Sequence, residues 1–84
     1  MQTDIRQNIQ TLKNDILKTE NDIEEFLKFD YIKGAKRSIH QLELNLKYLS
    51  VIANGAPIDK TEDRDVMEFL MTHYIKLQKF TLLY

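Results

Sequence analysis

Wound as a helix at 3.6 residues per turn, residues 66–84, VMEFLMTHYIKLQKFTLLY, are apolar on almost every side. Glu68, Thr72, Lys76 and Lys79 share one strip about a quarter of the circumference wide. Val66, Met67, Phe69, Leu70, Met71, Tyr74, Ile75, Leu77 and Phe80 take up nearly all the rest. Such a helix must be enclosed by its own protein or covered by another chain. A chain of 84 residues has few elements to enclose it with. At this size only about 60–65% of the unfolded surface is buried, so stability calls for oligomerisation or unusually good helix packing. The pattern predicts an all-α protein: an antiparallel three-helix bundle, or a helical hairpin plus a C-terminal helix, completed by self-association into a homo-oligomer.

The remaining chain supplies two narrower stripes. Thr3 or Asp4 can cap a first helix, along which Ile5, Ile9, Leu12, Ile16, Ile23 and Leu27 recur at three- and four-residue steps, with Thr19 interrupting the seam. A second series, Ile32, Ala35, Ile39, Leu42, Leu46, Leu49 and Ala53, is offset by two residues in phase from the first. One straight helix would not keep both inward, which favours a hairpin over a long kinked helix. A turn is expected within Phe29 to Gly34, with Gly34 free to take a left-handed conformation. In that hairpin the acids Glu20, Asp22, Glu24 and Glu25 come beside Lys33, Lys36 and Arg37. Asn54-Gly55 and Pro57 stop the second helix. Asp59 with Glu62 three residues on reads as a capping box for the third. The whole is expected to be a single helical domain, with helices over about 3–29, 33–53 and 60–83.

Charge narrows the function classes. The formal net charge is -1, without the basic excess from which a dedicated nucleic-acid binder draws most of its affinity. There is no secretory signal pattern and no apolar run of the roughly 20 residues that span a bilayer, so no membrane partner is expected and the cytoplasm is the default location. The sequence has no cysteine, no Ser-His-acid signal and no glycine-rich cofactor loop, so neither an enzyme nor a cofactor is expected. Asp4-Ile5-Arg6, with Ile9, Leu12 and Asp15-Ile16 following, resembles the first helix of the all-helical chorismate mutases. That family's site uses several inward-facing cations, whereas the polar positions after Arg6 are mostly Asn, Asp, Glu and outward Lys, so no role carries over.

What remains is binding. Met67, Leu70, Met71 and Tyr74 on the third helix, Leu44 and Tyr48 (with Val51) on a second face of the second, and Tyr84 at the end form candidate partner-binding positions. They suit a second copy of the chain or another protein. An anionic small molecule, a metabolite or nucleotide, is the alternative ligand. Lys33, Lys36 and Arg37 flank Gly34 at a helix start, where backbone N–H groups accept an anion, and Tyr31 can stack on a ring. His73 lies in the apolar sector of the third helix, where one hydrogen bond and packing account for it. His40 and Glu43, three apart, make one metal-reaching pair, which is not a site.

Overall fold

The computed structural model describes residues 5–55 and 58–83 and folds them into three helices of 24 residues each: α1 (Ile5–Lys28), α2 (Ile32–Gly55) and α3 (Lys60–Leu83). No strand occurs among the described residues. The protein is an all-α three-helix bundle, and α1 and α2 form a hairpin rather than one kinked helix. At 1.5 Å per residue each helix is about 36 Å long, so all three run along the 43 Å long axis of the molecule. Thr3, Asp4, Pro57 and Tyr84 lie outside the described residues.

The reversal between α1 and α2 is not made by Gly34. Asp30 is the residue in the left-handed region, at φ 59°. Its N–H donates to Leu27 O at 3.1 Å, and the Tyr31 N–H reaches back to Phe26 O at 2.7 Å. Those two bonds constitute a Schellman stop, with Asp30 in the position glycine usually holds. Aspartate tolerates that conformation better than most side chains because it is short and polar. The hydrophobic contact that accompanies such a stop is present too, since the Phe26 and Tyr31 rings lie 5.4 Å apart.

Gly34 is helical and buried, and its missing side chain serves a different purpose. A β-carbon there would meet the Tyr31 ring at 2.6 and 2.7 Å and Phe26 Cδ1 at 3.2 Å. Glycine thus lets the Tyr31 ring lie flat on the first turn of α2. Gly34→Ala is expected to destabilise the protein by displacing that ring. In a Tyr31→Ala background the same change should stabilise by up to about 1 kcal/mol, the difference in helix propensity. Urea titration of the four proteins tests this, and one sign in both backgrounds would show that the ring is not what excludes the β-carbon.

α3 begins as the Asp59 cap requires. The Glu62 N–H donates to Asp59 Oδ1 at 2.8 Å, and this bond is the main cause holding the Asp59 carboxyl below its ordinary value of 3.8. The reciprocal half of the capping box does not form, because the Glu62 carboxylate turns to Arg6 of α1. A depressed folded-state pKa means the cap stabilises fully above pH 3.8 and is lost as pH falls through the lower folded value. Melting temperature followed by circular dichroism from pH 5 to 2 should therefore fall less steeply for Asp59→Asn, which caps without titrating.

The core lies along α2, which packs broadly on α1 and more narrowly on α3. Ile16 and Ile23 of α1 and Leu42, Leu46 and Leu49 of α2 are wholly enclosed, and Val66, Leu70 and Leu77 close it from α3. The sequence stripes supply these residues as the spacing requires.

Candidate interaction surface

α3 is joined to α1 by polar side chains rather than by close backbones. No Cα of α1 comes within 8 Å of one in α3 among the described residues. Across that gap Arg6 Nε donates to the Glu62 carboxylate at 2.9 and 3.0 Å, Lys13 Nζ sits 5.4 Å from the centre of the Phe69 ring, and Lys76 Nζ lies 3.7 Å from Glu20 Oε1. Each α3 partner stands the same 56 residues beyond its α1 partner. A constant offset at seven-residue steps means that α1 and α3 run parallel and in register.

The innermost of these links is a buried pair. Glu20 is 4% exposed and His73 6%, and Nδ1 of His73 lies 2.6 Å from Glu20 Oε2. A carboxylate oxygen only accepts, so the imidazole donates from Nδ1. Phe69 covers the imidazole, ring centre to ring centre 4.1 Å. His73 therefore has the single bond and packing expected of it. Glu20, expected beside the cations of the hairpin turn, faces His73 and Lys76 of α3 instead. The hint was available: Glu20 follows Ile16 by four and precedes Ile23 by three, which places it in the apolar stripe. Thr19 lies at the edge of the α1–α2 seam, where its hydroxyl donates to Asp15 O at 2.8 Å.

With the core closed, two apolar faces stay open. On α3, Met67, Met71 and Ile75 are each more than half exposed and Leu82 is 88% exposed. Met67, Met71 and Ile75, with Tyr74 and Gln78, edge a shallow groove whose far wall includes Ser50 of α2 and whose floor is Leu70. Leu70, expected among the partner-binding residues, is buried and belongs to the core cluster. The other face is on α2, where Leu44, Tyr48 and Val51 stand away from the core, bordered by Gln41, Asn45 and Lys47. Tyr84 lies outside the described residues. No family model, curated protein or solved structure matches this chain.

The remaining candidates gather at the start of α2. Lys33, Lys36 and Arg37 are exposed, and among the described residues none forms an ion pair with Glu20, Asp22, Glu24 or Glu25. Tyr31 is half exposed with its ring on Phe26 and Gly34. His40 and Glu43 line a small depression with Lys36 and Thr81. No group of three or more His, Cys, Asp or Glu that could hold a metal occurs among the described residues. None of the described helices is long and apolar enough to cross a membrane.

Proposed function

We propose that this chain is a small, non-enzymatic helical interaction protein, of regulatory, adaptor or inhibitor type, that binds a macromolecular partner through its apolar helix faces and does so as a homo-oligomer. The observation that carries this reading is the second face of α3, left open after Val66, Leu70, His73 and Leu77 have already closed the core. Contiguous apolar patches on a folded protein mark interaction sites. Leu44, Tyr48 and Val51, at i, i+4 and i+7, have the spacing with which an amphipathic helix meets a partner, and tyrosine is a frequent anchor at such contacts.

The test is a photo-crosslinking amino acid placed at Tyr48 and, as control, at Lys18 on the exposed side of α1, irradiated in cells. A discrete adduct from position 48 and none from position 18 is the expected result. The same pattern at both positions, or none at either, would remove the reading.

A second reading has one observation in its favour: the cations at the start of α2 are not neutralised by the acids of α1. An anionic metabolite or nucleotide held by Lys33, Lys36 and Arg37 beside Tyr31 would use them. At about 100 times its dissociation constant such a ligand stabilises the folded state by about 2.7 kcal/mol. Thermal-shift measurements with ATP and with pyrophosphate should then show a rise that Lys36→Glu/Arg37→Glu abolishes. No rise with either probe in the unmodified protein would leave the first reading standing alone.

A further inference from the structure

We infer that the α3 face is the seat of a second copy of this chain, docked antiparallel about a two-fold axis that passes between Tyr74 and Ile75. This rests on the interaction reading above and names the occupant of one of its two faces.

The order of residues along the face carries the inference. From N- to C-terminus the open side of α3 reads Met67, Met71, the pair Tyr74 and Ile75, Gln78 and, beyond the groove, Leu82. The spacing of those positions is symmetric about the 74–75 midpoint. An isologous interface needs a surface that is complementary to itself when inverted, because residue i meets j while j meets i. Inversion here sets Met67 against the partner's Leu82, Met71 against the partner's Gln78, and Tyr74 against the partner's Ile75. No charged side chain lies within this series, so nothing in its centre repels its own image.

The charges beside the face fit the same operation. Glu68 and Lys79 lie together on the edge away from α2, both are exposed, and neither has an ion pair among the described residues. The two-fold puts Lys79 of one copy about 3 Å along the axis from the level of Glu68 in the other, two residues at 1.5 Å each. Long side chains close that distance, and the pair forms twice. A parallel two-fold would instead put this edge of each copy on opposite sides of the seam, where neither charge meets its opposite.

The other face, Leu44, Tyr48 and Val51, covers only two turns and stays available to a different protein.

Sedimentation equilibrium of the purified chain over a range of concentrations should give twice the 10.0 kDa chain mass. Met71→Glu, at a position already exposed to water, should raise the dimer dissociation constant by about 100-fold or more while leaving the helical circular dichroism unchanged. Glu68→Lys and Lys79→Glu should each weaken it about tenfold, and the double exchange should restore it. A monomer at every concentration, or a dimer indifferent to Met71→Glu, would overturn the inference. Failure of the double exchange to recover binding would overturn the antiparallel register. The tests are separable. A monomer that still yields a Tyr48 adduct defeats this inference and the homo-oligomer part of the reading above while leaving its partner-binding part, whereas a dimer with no Tyr48 adduct does the reverse.

Discussion

Glu20→Ala is expected to lower the unfolding free energy by about 1–3 kcal/mol, the cost of leaving a buried hydrogen-bonding group without its partner. Both side chains are buried, so water cannot replace the lost partner of His73. Folded chains of this size have about 4–13 kcal/mol in total, which makes the loss a large fraction of what is available. Replacing both members by leucine should behave differently. A buried pair exchanged for well-packed apolar groups is often neutral or stabilising by about 1–4 kcal/mol. Lys76 also approaches Glu20 but is half exposed, and Lys76→Ala should cost under about 1 kcal/mol. Urea unfolding of the three variants beside the unmodified protein gives the comparison. A single-site cost below about 1 kcal/mol for Glu20→Ala would mean that the pair does not hold α3 to the hairpin.

Two leucines on α2 form the second comparison. Leu46→Ala should cost about 2–5 kcal/mol and Leu44→Ala no more than about 0.5 kcal/mol. The sequence separates them by two positions, but α2 lies between α1 and α3 and only one of its sides faces both. Leu46 is wholly enclosed there, and truncating it leaves a cavity with packed atoms on every side. Leu44 is 45% exposed on the opposite face. Chemical denaturation with both variants measures the contrast in a single experiment. If Leu44→Ala also weakened the dimer, α2 rather than α3 would be the self-association face.

How much of this was legible beforehand depends on the kind of signal. The stripes of α1 and α2 were plain because apolar residues recurred every three or four positions, and their phase offset demanded a reversal. The residue that makes the reversal was misassigned. Glycine is the usual choice for a left-handed stop, so Gly34 drew attention, while Asp30 does the work and Gly34 serves a ring's close approach. The polar contacts between α1 and α3 were the least legible. Arg6, Lys13 and Glu20 look like ordinary surface charges, and only the placement of Glu62, Phe69, His73 and Lys76 opposite them gives them partners. A glutamate inside one apolar stripe and a histidine inside another were each anomalous, and pairing them across helices was the inference that single-helix patterns do not prompt. For the interaction surface, exposure could not be read from composition. Met67 and Leu70 are equally apolar, yet one faces water and the other the core.

The parallel register of α1 and α3 has an electrostatic consequence. Aligned peptide units give each helix a dipole equivalent to about half an elementary charge at either end. α2 runs against both α1 and α3 and can cancel only one of them, so one helix's dipole is left over along the 43 Å axis. Glu62 and Asp63 in the first turn of α3 answer its positive end, whereas the last turn of α3 carries no basic residue to answer the negative one. Two copies set head to tail would place the leftover dipoles in opposition, and the assembly would have none. A three-helix chain that pairs antiparallel thus completes, with six helices, the alternation that three cannot.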